Sequence, residues 1–134
     1  MRAAITLTVI GIAVAACAAQ YAPFQRSPQA ASHLAAALNG RVAGPPQDCL
    51  PSFASTSSEV IDDHTVLYRV GATTYAMDPP GGCAGLGEFG TTMVVKPMSS
   101  QLCRGDIARI IDTSTNSSRG SCTIGSFTPF RVPR

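Results

Sequence analysis

The densest grouping of chemistry-bearing side chains is Asp62-Asp63-His64-Thr65. Two carboxylates and an imidazole are the parts of an acid–base site or of a metal site. Neighbouring residues on a strand or turn point in different directions, so a consecutive run rarely converges on one ligand. The run therefore reads as a polar turn between Val60-Ile61 and a strand that follows it. His33 is the only other histidine, and it lies well upstream. A single histidine in the domain, with no elbow motif, does not make a Ser-His-Asp arrangement. An enzyme or a small-ligand carrier would have to use Asp62, Asp63, His64 and Arg109 together. That reading requires all four to meet in one pocket.

Other groupings are weaker. Asp112, Ser114 and Asn116 have the 1-3-5 spacing of a calcium loop. Ser117 stands where the loop needs its turn glycine and Thr123 where it needs its terminal Glu, so a solvated hairpin loop is expected there. Residues 81–90 hold five glycines, and Gly85-Leu86-Gly87-Glu88-Phe89-Gly90 has the letters of G-x-G-x-x-G, but it does not follow an expected strand and there is no G-K-[ST] ending, so phosphate cradling is not expected. Their expected role is conformational freedom around Cys83. Arg104, Arg109 and Arg119 could form a small basic surface, or stand singly, or pair with Asp106 and Asp112. No metal and no cofactor is expected. A net charge of +2, from 10 basic and 8 acidic residues, is too balanced for a nucleic-acid binder.

Five cysteines is an odd number, and Cys17 separates from the other four. Met1-Arg2 is followed by a run from Ala3 to Ala16 that is apolar apart from Thr6 and Thr8. It is short for a spanning helix, which needs about 20 residues, and suits the apolar region of an export signal. The run closes on Val14-Ala15-Ala16-Cys17, which resembles a bacterial lipobox. There the cysteine thiol forms a thioether to diacylglycerol, and two or three acyl chains make a durable anchor. The competing reading is a simple cleaved signal with Ala16-Cys17-Ala18 as its A-x-A site. Ala18, in place of the Asp that favours inner-membrane retention, points to the outer membrane. On this reading residues 1–16 are a lipoprotein signal peptide and Cys17 the lipid attachment site.

Cys49, Cys83, Cys103 and Cys122 remain, an even number in an exported chain, and read as two disulfides. No C-x-x-C pair exists, which argues against a zinc knuckle or a thioredoxin-like redox pair. If 106–112 and 120–124 form a hairpin, Cys122 lies opposite a residue near Arg109 and cannot meet Cys103. Two pairings stay open: Cys49–Cys103 with Cys83–Cys122, which is preferred, and Cys49–Cys122 with Cys83–Cys103.

The elements that must position these groups are short. Residues 17–40 read as a tether. Within it Ser27-Pro28 looks like an N-cap and first helical residue, and Asn39-Gly40 a stop, giving a short helix over 28–39. Its alanines supply propensity but little to bury. Residues 41–134 form the domain proper. Its clearest element is a hairpin, Thr65–Val70 and Thr73–Met77, joined by Gly71-Ala72 in a type II′ turn. Val70 faces Thr73, Tyr68 faces Tyr75 and Val66 faces Met77. Val66, Tyr68, Val70, Tyr75 and Met77 then share the core face, with Leu67 and Arg69 on the other. Further strands are expected at 59–62, 91–96, 106–112, 120–124 and 127–130, with a long loop over 78–90. Six or seven short strands make a mainly β fold, a small antiparallel barrel or sandwich with two disulfides, preceded by a signal peptide and a short N-terminal helix.

The segment from Gly40 onward resembles a family of uncharacterised small exported proteins of alphaproteobacteria, often lipoproteins. The carrying pieces are Gly40-Arg41-Val42-Ala43-Gly44, Asp48-Cys49-Leu50, Leu67-Tyr68, Thr74-Tyr75 and Ser100 through Asp106. Arg119 through Phe127 and Pro129-Phe130 complete them. The resemblance implies no activity, and it favours Cys49 with Cys103. The 81–90 loop is where the chain departs most from the family's usual form.

The expected function is therefore that of a non-enzymatic envelope lipoprotein, a small binding or structural module held by Cys17 at the outer membrane and facing the periplasm. Its partners would be the membrane, through the anchor, and an envelope protein. The alternatives are a secreted or periplasmic hydrolase inhibitor presenting the 79–90 loop, or a small-ligand carrier or enzyme.

Overall fold

The computed structural model describes residues 23–51 and 56–134. Residues 1–16, where the signal peptide is expected, and Cys17 lie outside the described residues. The elements in chain order are α1 (Pro28–Ala37), β1 (Val42–Ala43), β2 (Ser57–Asp62), β3 (Thr65–Val70), β4 (Thr73–Met77), β5 (Thr91–Val95), β6 (Ile107–Asp112), β7 (Ser117–Thr123) and β8 (Phe127–Arg131). The strands form two antiparallel sheets, one ordered β1-β8-β4-β3-β2 and one ordered β5-β6-β7. Neither closes into a barrel, so of the two expected architectures the sandwich fits. The additional strand is β1, two residues that pair with Phe130 and Arg131 and are too short to leave a periodic signal.

The β3–β4 hairpin has the expected register, with Val66 opposite Met77, Tyr68 opposite Tyr75 and Val70 opposite Thr73. Gly71 alone of the two loop residues takes a positive φ, +59°, as a type II′ turn requires. Val66, Tyr68, Tyr75 and Met77 are buried in the main core with Phe127 from β8. The three-stranded sheet supplies Ala108 and Ile110, with Met93, Val95 and Cys122 packed beside them. The core thus fills the space between the sheets, as alternating strands demand.

The reverse face of the larger sheet is also covered. Leu67, expected on an outward face beside Arg69, is completely buried. It sits with Ile61 beneath Ala30 of α1, and Leu34, Ala37, Leu38 and Ala76 pack against them. Ala30, Leu34, Ala37 and Leu38 fall at i, i+4, i+7 and i+8, one helical stripe. The helix has something to bury after all, and the segment around it is more than a tether. Its N-terminus is capped as expected, the Ser27 hydroxyl accepting from the Ala30 amide at 3.2 Å with Pro28 next.

The disulfides are Cys49–Cys103 and Cys83–Cys122. Cys122 pairs across the β6–β7 ladder with Ala108, one position from Arg109, which is why Cys103 is out of its reach. Cys49–Cys103 instead joins two stretches that already touch through the Leu50 amide and the Leu102 carbonyl at 2.8 Å. Cys83–Cys122 fastens the glycine-rich loop to β7.

Candidate functional site

Asp63 and His64 form the tight connection between β2 and β3, the expected polar turn. Asp62 shapes it: one carboxylate oxygen accepts from the His64 amide at 2.8 Å. Asp62 Oδ2 accepts from Arg26 Nε at 2.6 Å, reaching a residue 36 positions upstream. The other end of that guanidinium donates to the Thr65 hydroxyl at 2.5 Å, and Thr65 donates onward to Asp78 at 2.6 Å. Burial pushes the Asp62 carboxyl up, but the Arg26 hydrogen bond and charge and the His64 amide outweigh it and hold the group below its ordinary range.

His64 is held on three sides. Its Nδ1 meets Asp63 Oδ1 at 2.7 Å, and Phe24 stacks on the ring at 3.6 Å between centroids, 12° from parallel. Gly82 closes the third side. A Cβ there would lie 2.7 Å from the imidazole, and the residue has φ +78°, so glycine is required twice over. The Cys83 amide also donates to the Asp63 carbonyl at 2.6 Å. The cluster therefore ties three segments together: the chain before α1, the β2–β3 turn and the start of the 78–90 loop.

A second polar contact holds the helix itself. His33 Nε2 meets Glu59 Oε1 at 2.7 Å, and Arg69 bonds the other oxygen of Glu59. Burial raises the Glu59 carboxyl, yet the Arg69 and His33 hydrogen bonds lower it further, leaving it below its ordinary value.

Two clefts flank the cluster. One, of about 430 Å³, lies between the start of α1 and the glycine-rich loop, with Ala30, His33, Asp62, Asp63, Leu86 and Glu88 among its walls. The other, of about 340 Å³, is lined by Phe24, Arg26, His64, Asp78 and Pro79. Arg109 borders neither. It projects from the exposed side of β6 in the smaller sheet, opposite Val94 and Ser121. The four residues required for the enzyme or carrier reading do not meet in one pocket.

The remaining candidates resolve into structural roles. Asp112 accepts from the Ser114 hydroxyl and from the Ser114 and Thr115 amides, and Arg119 bonds its other oxygen at 2.6 Å. Those contacts, the Ser114 hydroxyl and Arg119 foremost, hold Asp112 well below the carboxylate range. The calcium-like spacing is thus a capped β6–β7 turn. Asp106 is buried and accepts from the Met98 and Cys103 amides, and Arg104 faces Asp48. Among the described residues no three His, Cys, Asp or Glu side chains group closely enough for a metal, and no helix is long and apolar enough to cross a membrane.

Sequence reasoning missed Phe24, Arg26 and Asp78, because their partners are far away in sequence and nothing local signals them. It also missed Phe89. The 78–90 loop is pinned by Cys83 and by buried Leu86, yet presents Phe89 fully exposed. Comparison with family models, curated proteins and solved structures gave no match.

Proposed function

We propose that this chain is a non-enzymatic envelope lipoprotein of the uncharacterised alphaproteobacterial kind, anchored through Cys17 and acting as a small binding module on the periplasmic face of the outer membrane. The observation that carries the reading is the use made of the Asp62–His64 cluster. Asp62, His64 and Arg26 are spent on one another and on Phe24 and Gly82, and Arg109 is on a different surface. The side chains best equipped for catalysis serve as a clasp. What the domain offers outward is a stapled loop, and loops fixed on a rigid scaffold are where binding function concentrates.

The anchor is tested by metabolic labelling with radioactive palmitate. The native chain incorporates label and Cys17→Ala does not. An unlabelled native chain, or unchanged migration of the variant, contradicts the anchor.

The inhibitor reading is the second choice, and one observation favours it. Phe89 stands wholly in solvent on a loop fixed by the Cys83–Cys122 bridge and by the Thr91 hydroxyl, which donates to the Gly85 and Glu88 carbonyls. A preordered aromatic of this kind fits the apolar specificity pocket of a hydrolase and loses little entropy on binding. Deletion of residues 84–89 should abolish inhibition of an envelope hydrolase. Inhibition that survives the deletion sinks this reading.

A further inference from the structure

Among the described residues the two sheets have four edge strands, and three are blunted. β1 is two residues long. β2 carries Glu59 and Asp62, breaks register between Val60 and Asp62, and lies under α1. β7 breaks register opposite Ile110 and Ile111 and carries Arg119 among serines. Charges, bulges, short length and a covering helix are the usual devices that keep an edge from pairing with another chain.

β5 has none of them. Thr91-Thr92-Met93-Val94-Val95 contains no charge, glycine or proline, and Lys96-Pro97 ends it. Its pairing with β6 is regular through all five residues. Among the described residues no backbone bond reaches Thr92 to Val95 from the side away from β6. Val94 is 51% exposed, and Met98 just beyond the strand is 89% exposed.

We infer that β5 pairs with β5 of a second copy of this chain, joining the two three-stranded sheets into one six-stranded antiparallel sheet about a two-fold axis. A two-fold perpendicular to the sheet sets each residue opposite one that faces the same way, so the register must centre on a residue. Centring on Met93 pairs all five residues of both strands. Thr92 then faces Val94 of the second copy, and Thr91 faces its Val95. β-Branched residues opposite one another are favourable cross-strand pairs.

The ends agree in charge. The two-fold brings the end of one strand, with Lys96, beside the start of the other, which Glu88, itself 3.6 Å from Arg119, precedes by three residues. A parallel arrangement would set the two Lys96 ends side by side. The paired area is small, so the dimer is a weak one. This inference stands apart from the anchor and the loop.

The test is sedimentation velocity on the full chain over a series from micromolar to about 1 mM. The mass should double with concentration, and the amides of Thr92 to Val95 should gain hydrogen-exchange protection in the same range. In Thr92→Lys/Val94→Lys every substituted position faces another lysine, and the dimer should be lost while the far-UV spectrum is kept. Mixing it with Thr92→Glu/Val94→Glu should restore a 1:1 heterodimer. A native chain that stays monomeric throughout, or a dimer that persists in the lysine variant, overturns the inference.

Discussion

Tyr68 is the residue at which polarity and position conflict most. Its ring packs edge-on to Phe127 with centroids 5.8 Å apart, while its buried hydroxyl has no hydrogen-bond partner among the described residues. Burial pushes that hydroxyl's pKa up. An unmatched buried hydroxyl costs about 1–3 kcal/mol, so Tyr68→Phe should keep the packing and raise stability by up to about 1 kcal/mol in urea unfolding. A clear loss of stability would show that the hydroxyl is matched. Gly125 is the opposite case. A Cβ there would meet the Asp78 carbonyl oxygen at 2.1 Å, a backbone atom that cannot swing aside. Gly125→Ala should cost more than about 2 kcal/mol in the same assay, as severe steric replacements do. Residue-level legibility followed the same division. The alternation around Tyr68 put that side chain on the core face, because period-2 patterning is written in adjacent residues. Nothing local marks Gly125, whose requirement comes from a strand exit 47 positions away in the chain.

At the scale of elements, the docking of α1 depends on ionised carboxylates as well as on its apolar stripe. Asp62 and Glu59 both lie below their ordinary values in the folded chain. A carboxyl with a depressed folded pKa binds protons more weakly when folded than when unfolded. It therefore contributes stability above its unfolded value, and the contribution fades as pH falls through the folded value. The contribution of these two carboxylates should be complete near neutrality and begin to drop below about pH 4.5, the ordinary glutamate value. Arg26→Ala should remove part of that slope, and the protection factors of the α1 amides, taken relative to the intrinsic exchange rate at each pH, should fall in the same acid window. α1 protection factors that are equal at pH 7 and at pH 3 would contradict the role given to these pairs. The helix itself was readable from Ser27-Pro28 and Asn39-Gly40, because caps are local. Its docking was not read, although Ala30, Leu34, Ala37 and Leu38 form a stripe, since a stripe of mostly small residues is weak until the Leu67 face opposite it is known. The hairpin of β3 and β4 was the easiest element, with its turn, register and inward face all contained in 13 consecutive residues.

At the scale of the whole molecule, the described residues form a small sandwich closed by two covalent bridges and α1. The sequence separations of 54 and 39 residues make both bridges long-loop closures, each typically worth about 2–4 kcal/mol. Their consequences should differ. Cys49→Ser/Cys103→Ser removes a tie between segments already joined by backbone bonds and should lower global stability. Cys83→Ser/Cys122→Ser should in addition expose the 81–90 loop to proteolysis, seen as a cut there before any other. Equal cleavage patterns in the two double variants would contradict a special role for Cys83–Cys122 in fixing the loop. At this scale the strand count and the antiparallel class were legible, because strands with turn signals between them recur along 57–131. The division into two sheets was not, since strand order is set by long-range pairs such as β4 with β8.

The central claim is that the domain is a binding module whose working surface is the stapled loop. Its most direct test is a photo-crosslinking residue in place of Phe89, activated in intact cells. The account predicts one dominant adduct with an envelope protein, lost when residues 84–88 are replaced by a flexible linker and when the same group is moved to Arg109. An adduct equally strong from Arg109, or none from position 89 in cells where the protein is abundant, would contradict it.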